Sequence, residues 1–142
     1  MAETRHTTSY YAASANPAPE RPALQGSHET DVCIVGAGFT GISAALHLAE
    51  QGFKVTVLEA VKVGFGASGR NGGQIVNSYS RDIDVIERTL GAQQARLLGD
   101  MAFEGGRIIR ERVAQYNIQC DLKDGGVFAA FNSKHMKHLE AQ

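Results

Sequence analysis

The sequence predicts an α/β fold in which a Rossmann-like βαβ unit is followed by helices and by the start of a second sheet. Two short β-branched runs, at residues 31–35 and 54–59, flank a segment of helical periodicity at residues 39–51. A strand, a helix and a strand within about thirty residues require parallel pairing through a crossover. Nine of the sixteen glycines lie between residues 36 and 73, where the backbone must turn sharply or approach something closely.

The composition indicates one folded domain from a reducing compartment. The 142 residues carry 14 Lys and Arg against 15 Asp and Glu, a net charge of −1, which gives no electrostatic basis for binding nucleic acid or an anionic membrane. No apolar run reaches the roughly 20 residues of a transmembrane helix, and the N-terminus lacks a secretory pattern. Cys33 and Cys120 match no disulfide or metal spacing. We therefore expect a cytoplasmic protein without a metal site.

The first eighty residues divide into a tail and the βαβ unit. Residues 1–29 hold all three prolines and show no apolar periodicity, so a tail is predicted, with Tyr10 and Tyr11 anchoring it to the body. Residues 30–80 form the βαβ unit and a loop. The first strand is a nearly continuous apolar run, typical of a strand that is covered on both faces, and Cys33 is expected to be buried within it. Gly52 stands where a glycine ends the helix.

The second half of the chain is predicted to be helical and then to form two short strands and a last helix. Residues 81–117 carry two apolar stripes at helical spacing, divided at Gly91. Residues 118–122 and 127–131 are predicted to be strands around a glycine turn. A last helix from residue 133 is capped by Ser133 or Asn132. It runs to the end of the chain without a cap, which is unusual for a finished protein.

The first glycine loop, residues 36–41, has the pattern G-x-G-x-x-G between the first strand and the helix. Gly36 allows a tight turn, Gly38 lets a pyrophosphate approach the backbone, and Gly41 permits close packing of helix on strand. The N–H groups at the helix start then face the phosphates. Glu59 ends the second strand, where a carboxylate accepts hydrogen bonds from ribose hydroxyls. The pattern predicts a dinucleotide site and leaves FAD and NAD open.

The second glycine loop, residues 64–74, reads G-F-G-A-S-G-R-N-G-G-Q. Its N–H groups and the Ser68 hydroxyl can line an extended polar ligand, whereas a plain NAD domain would continue with a helix at this point. The alternative interpretation of such a glycine-rich segment is a mobile connection.

These motifs resemble those of the flavin amine oxidoreductases of the D-amino-acid-oxidase type. The resemblance lies in D-V-C-I-V-G-A-G-F-T-G at residues 31–41, V-T-V-L-E at 55–59 and the second glycine loop. It implies that the first glycine loop binds the FAD pyrophosphate, Glu59 the ribose, and the second glycine loop the ribityl chain and the flavin ring. The cofactor-binding residues expected in this way are Gly36, Ala37, Gly38, Phe39, Thr40, Gly41, Glu59, Ala60, Ala67, Ser68, Arg70, Asn71, Gly72, Gly73 and Gln74.

The resemblance also implies an activity, namely FAD-dependent oxidation of an amine, with gamma-glutamylputrescine as the expected substrate. The amine would yield an aldehyde and ammonia, and molecular oxygen would accept the electrons and become hydrogen peroxide. The resemblance further implies that residues 118–142 are the start of a substrate domain and that the chain is an N-terminal fragment or a truncated product. Substrate-contacting residues are expected mostly outside this chain, so none is assigned. Two alternatives stay open: an NAD-dependent dehydrogenase, and an inert fragment that exposes apolar surface where further sheet would pack.

Overall fold

A computed structural model of the chain describes His6, residues 8–81 and residues 83–140. Across these residues it shows a mixed α/β structure with a two-stranded parallel sheet. In chain order the elements are helix α1 (Tyr10–Ser14), strand β1 (Val32–Val35), helix α2 (Phe39–Glu50), strand β2 (Val55–Leu58), a 3₁₀ turn (Ala67–Gly69), and helices α3 (Ile83–Leu90), α4 (Ala92–Gln115) and α5 (Ser133–Glu140). None of the helices in these ranges combines the length with the apolar character that crossing a bilayer requires.

The predicted strand–helix–strand order and its parallel pairing are confirmed. The register pairs Val32 with Val55 and runs to the pair formed by Val35 and Leu58. Just beyond this pairing, the N–H of Gly36 donates to the Leu58 carbonyl at 2.7 Å. The first glycine loop therefore starts directly at the carboxyl ends of both strands, the end of a parallel sheet where ligands bind in open α/β folds.

Helix α2 ends as the glycine pattern predicts. Gly52 has a φ of 90°, and its N–H donates to the Ala49 carbonyl at 3.0 Å, while the N–H of Phe53 donates to the Leu48 carbonyl at 3.1 Å. These two bonds define a Schellman motif, which needs the left-handed backbone that glycine adopts without strain. The chain can therefore reverse immediately into strand β2.

The expectation that β1 is covered on both faces is wrong. Val35 is 86% exposed and Cys33 is exposed rather than buried, because α2 is the helix that packs on the sheet and it covers one face. Among the described residues, the buried hydrophobic side chains are those of Ala37 and Ala95. Extensive exposed apolar surface is what the inert-fragment alternative predicts.

The helical segment follows the prediction closely. Gly91, with a φ of 89°, separates α3 from α4; its N–H donates to Glu87 at 2.8 Å and its carbonyl accepts from Ala95 at 3.0 Å. The backbone therefore bends at Gly91 while its polar groups stay paired. Helix α4 then runs without a break through Gly99, Gly105 and Gly106.

The strands predicted at residues 118–122 and 127–131 are wrong, since both segments lack regular structure in the described part of the chain. Asp121 has a φ of 51° and Gly125 a φ of 95°, which interrupts extended backbone. Val127 and Phe128 are 93% and 83% exposed, so the apolar run at residues 127–131 has no layer to pack against. The predicted start of a substrate-domain sheet is therefore not formed. Helix α5 does form, and Asn132 is its cap, because its Oδ1 accepts from the N–H of His135 at 3.0 Å.

Candidate functional site

The first glycine loop has the backbone geometry that the sequence predicts for Gly36 and Gly41. Gly36 has a φ of 101°, a conformation that side chains strongly disfavour, so the tight turn out of β1 requires glycine. A Cβ on Gly41 would overlap the carbonyl oxygen of Gly36 and lie 3.4 Å from Ile34 Cγ2. Gly41 thus lets the start of α2 pack directly against β1 and its turn.

The start of α2 lies beside the Ser68 hydroxyl. Gly38 is the N-cap residue and has no side chain to cap the helix, and the N–H of Phe39 instead donates to Ser68 Oγ at 3.0 Å. A Cβ on Gly38 would lie 3.0 Å from the same oxygen. A hydroxyl oxygen from the second glycine loop is therefore bound at the positive end of the helix dipole, where an anion is stabilised. Thr40 follows in the first turn of α2.

The Glu59 carboxylate is bound to the backbone of the first glycine loop. Its Oε2 accepts from the N–H of Ala37 at 2.8 Å, and its Oε1 accepts from the N–H of Val61 at 3.1 Å. The donated bond from Ala37, followed by that from Val61, holds the pKa of Glu59 below its ordinary value. The sequence predicted ribose hydroxyls as partners of this carboxylate. The loop N–H is a partner that the sequence did not reveal.

Ala37 is fixed at both of its backbone polar groups. Its side chain is buried, its N–H donates to Glu59, and its carbonyl accepts from the N–H of Gly64 at 2.9 Å. Because Gly64 begins the second glycine loop, this bond joins the two loops through the backbone. Three parts of the chain therefore meet around Ala37: the start of α2, the end of β2 with Ala60 beside it, and the second glycine loop.

The second glycine loop is organised by its own hydrogen bonds. The Asn71 amide donates to the carbonyls of Ala67 at 3.1 Å and Ser68 at 2.8 Å, and Asn71 Oδ1 accepts from the N–H of Gly73 at 2.8 Å. The side chain of Asn71 thus closes the 3₁₀ turn and sets the direction of the glycine pair after it. Of the predicted site residues that follow, Gln74 lies beside Gly72, since a Cβ there would be 3.5 Å from Gln74 Oε1.

Arg70 points to a partner within its own loop. Its Nε donates to the Phe65 carbonyl at 3.0 Å, and its guanidinium carbon lies 4.9 Å from the centroid of the Phe65 ring. Cation–π attraction of this kind contributes about 0.5–1 kcal/mol at an exposed site. Sequence reasoning missed Phe65 as a platform for Arg70, because a contact between residues five apart in a loop has no periodic signal.

The predicted residues therefore fall into two groups. Those of the first glycine loop, with Glu59 and Ser68, converge around Ala37 and the start of α2. Arg70 through Gln74 lie along the second glycine loop, where the hydrogen bonds of Arg70 and Gly73 go to other residues of the same loop. The first group has the features that bind a nucleotide cofactor: a helix N-terminus, a glycine without a side chain at position 38, where Ser68 Oγ lies, and an exposed carboxylate with unshared lone pairs.

Comparison with known proteins gives a consistent result. The chain matches the family model described as DAO, FAD dependent oxidoreductase, over residues 31–142. It is 62% identical over 139 residues to "Gamma-glutamylputrescine oxidoreductase" of Escherichia coli K12, covering 98% of this chain and 33% of that protein. It is 46% identical to "Probable oxidoreductase OrdL" of Haemophilus influenzae, covering 98% and 32% of the two chains. The "Probable oxidoreductase OrdL" of Rhizobium meliloti is 36% identical, with 94% and 32% covered.

The chain spans about a third of the length of these relatives. No solved structure gives a significant match. The family match favours FAD over the NAD alternative, and described residues 60–81 lack the α-helix that the NAD alternative predicts. The chain therefore belongs to the DAO family of FAD-dependent oxidoreductases.

Proposed function

We propose that the chain supplies the FAD-binding part of an amine oxidoreductase that acts on gamma-glutamylputrescine. The relative of 62% identity bears the name of that substrate, and the family is FAD-dependent. Because the chain covers a third of that relative, the residues that recognise the amine are expected mostly beyond those described above.

The observation that carries the cofactor assignment is the convergence on residues 37–39. There the Ala37 N–H meets a carboxylate, and the Phe39 N–H meets a hydroxyl oxygen. A pyrophosphate oxygen would bind at the helix start in the manner of the Ser68 hydroxyl, since both are acceptors for the same type of N–H. Glu59 would accept the ribose hydroxyls with the lone pairs that its backbone bonds leave unused.

The remaining predicted contacts are proposed for the rest of the cofactor. Ala67 and Ser68 would lie along the pyrophosphate and ribityl chain, and residues 70–74 near the flavin ring. Gly72 and Gly73 suit that position because a backbone without side chains permits close approach. Arg70, held against Phe65, would supply a fixed positive charge at that end of the site.

The reaction divides between cofactor, substrate and protein. FAD held by the first glycine loop, Glu59 and the second glycine loop would supply a two-electron acceptor for oxidation of the amine, with molecular oxygen as the final acceptor and hydrogen peroxide as its product. The oxidised amine is an imine, which water hydrolyses to an aldehyde and ammonia. The residues of this chain bind and orient the cofactor, so no acid, base or nucleophile is required among them.

Titration of the protein with FAD, followed by flavin fluorescence, tests the cofactor assignment. Gly38→Ala adds a methyl group beside Ser68 Oγ, and we expect it to weaken FAD binding by roughly tenfold, equivalent to about 1.4 kcal/mol. Gly99→Ala, at a helix position with nothing within 4 Å of the added Cβ, is the matched control and should bind as the wild type does. Tight NAD binding without FAD binding would overturn the assignment.

The substrate is tested separately on the FAD-loaded whole protein, of which this chain would be the FAD-binding part. Oxygen consumption and peroxide release are measured with gamma-glutamylputrescine and with free putrescine. Faster turnover of the glutamylated amine supports the proposed substrate, whereas equal rates or a preference for the free diamine contradict it.

A further inference from the structure

The N-terminal segment contacts the second glycine loop at two points. A Cβ on Gly73 would overlap the Tyr11 hydroxyl and lie 2.9 Å from Tyr11 Cζ and 3.2 Å from Cε1. The imidazole of His6 lies 5.8 Å from the Phe65 ring, centroid to centroid. We call His6 and residues 8–14 the N-terminal clamp. Its contacts join residues about sixty positions apart, and they fall on the loop proposed to bind the flavin.

Local structure fixes the direction in which the clamp presents Tyr11. Ser9 caps helix α1, since its Oγ accepts from the N–H of Ala12 at 3.2 Å, and Ser14 Oγ donates to the Tyr10 carbonyl at 2.9 Å. The two tyrosines differ within this turn: Tyr11 is 40% exposed and Tyr10 is 74% exposed. Tyr11 therefore packs on the loop, while the Tyr10 ring lies largely in solvent and meets the Tyr11 ring edge to face, with 5.7 Å between the ring centroids.

A continuous set of contacts connects Tyr11 to the start of α2. The phenol packs on Gly73, whose N–H donates to Asn71 Oδ1 at 2.8 Å. The Asn71 amide donates to the Ser68 carbonyl at 2.8 Å, and Ser68 Oγ accepts from the N–H of Phe39 at 3.0 Å. A change in the position of Gly73 is thereby coupled to the hydroxyl at the helix N-terminus.

Gly73 is the point at which this coupling depends on packing rather than on hydrogen bonding. Its φ of 66° lies in a region that glycine occupies freely, and the loop around it is glycine-rich, so its backbone has many alternative conformations to lose. A ring seated on Gly73 excludes those conformations that would enter its volume. The contact made by Tyr11 is steric; its hydroxyl is the nearest atom, and phenylalanine would keep the ring atoms Cζ and Cε1 beside Gly73.

We propose that the N-terminal clamp holds the second glycine loop in its cofactor-binding conformation, with Tyr11 as a positioning residue acting through Gly73. The inference rests on the proposed function, since the loop is where the flavin end of FAD is placed. Loss of the Tyr11 ring lowers the fraction of molecules whose loop is competent to bind, and the apparent dissociation constant for FAD rises by the inverse of that fraction.

The first arm of the test needs no cofactor. Trypsin cleaves after Arg70, an exposed residue within the loop. We expect Tyr11→Ala to raise the rate of this cleavage severalfold, whereas Tyr11→Phe and the control Leu24→Ala, at an exposed apolar side chain of the N-terminal segment, should resemble the wild type. Cleavage after Arg88, in helix α3, is measured in the same digests, because it rises only if a variant loses structure generally.

The second arm measures FAD affinity and flavin fluorescence of the same variants. Tyr11→Ala should bind FAD roughly tenfold more weakly, with binding restored in Tyr11→Phe. Equal cleavage after Arg70 in the Leu24→Ala and Tyr11→Ala variants overturns the clamp, as does a rise after Arg88 equal to that after Arg70. Faster loop cleavage with unchanged FAD affinity overturns the positioning role. A wild-type chain that binds no FAD contradicts the proposed function and the positioning role of Tyr11. In that case the digests alone still decide whether the clamp orders the loop.

Discussion

Replacing Gly41 by alanine would force the start of α2 away from β1. The added Cβ would overlap the carbonyl oxygen of Gly36 and contact Ile34 Cγ2 at 3.4 Å. The overlapped atom is backbone in a turn whose φ of 101° already requires glycine, so it cannot rotate aside as a side chain could. The helix must therefore shift outward, taking with it the N–H groups that face Ser68.

The expected loss of stability follows from two opposing effects. Overpacking against neighbours that cannot relax costs about 3 kcal/mol, the upper part of the usual range, while alanine favours the helix over glycine by about 1 kcal/mol. We therefore expect Gly41→Ala to lower the free energy of unfolding by about 2 kcal/mol. Gly99→Ala, within α4 and with nothing within 4 Å of the new Cβ, should raise it by about 1 kcal/mol.

Urea unfolding followed by far-ultraviolet circular dichroism measures both variants against the wild type. The same chemical change thus has opposite effects at two helical positions. The free energies of unfolding of the two variants should differ by about 3 kcal/mol, or roughly a hundredfold in the folding equilibrium constant. Equal slopes of free energy against urea would show that the denatured states are comparable. If Gly41→Ala is as stable as Gly99→Ala, the close approach of α2 to β1 is not a feature of the folded chain.

Three further substitutions test individual bonds. The N–H of Ala37 lowers the pKa of Glu59. The carboxylate therefore stabilises the fold fully above its unfolded pKa and loses this contribution as the pH falls through its folded pKa. The urea midpoint of the wild type should fall across that pH window, and Glu59→Gln should remove this part of the pH dependence. Ser68→Ala leaves the Phe39 N–H without its acceptor and should lower the free energy of unfolding by about 1 kcal/mol. Asn132→Ala removes the cap of α5 and should destabilise that helix by about 1 kcal/mol, visible as faster amide exchange in its first turn.

The parts of the fold that the sequence predicted correctly depend on local chemistry. Gly36, Gly52 and Gly91 each adopt positive φ at a junction where the chain turns, and glycine is the residue that such junctions select. The β-branched runs flanking α2 pair as expected, because a short connection through one helix leaves them little choice of partner. These signals lie within a few residues of the structure that they specify.

The parts that the sequence did not predict depend on partners distant along the chain. The residues around Phe128 form an apolar run as a strand would, yet a strand exists only when another supplies its hydrogen bonds, and none does so in the described part of the chain. Glu59 was expected to bind a ribose, and its bond to Ala37 arises from the three-dimensional path of the loop. The sequence predicted that Tyr10 and Tyr11 anchor the tail, but only the folded arrangement reveals that Tyr11 does so at Gly73 while Tyr10 is 74% exposed.

The pairing of β1 with β2 uses one side of each strand. In the residues that the structure describes, the opposite sides carry no ladder partner, and each presents a row of donors and acceptors open to a further strand. A ribbon of two strands is marginal by itself, so this chain gains stability from any segment that extends the sheet. A strand from a second molecule would satisfy the same backbone N–H and C=O groups. We therefore expect self-association at high concentration to compete with pairing inside one molecule.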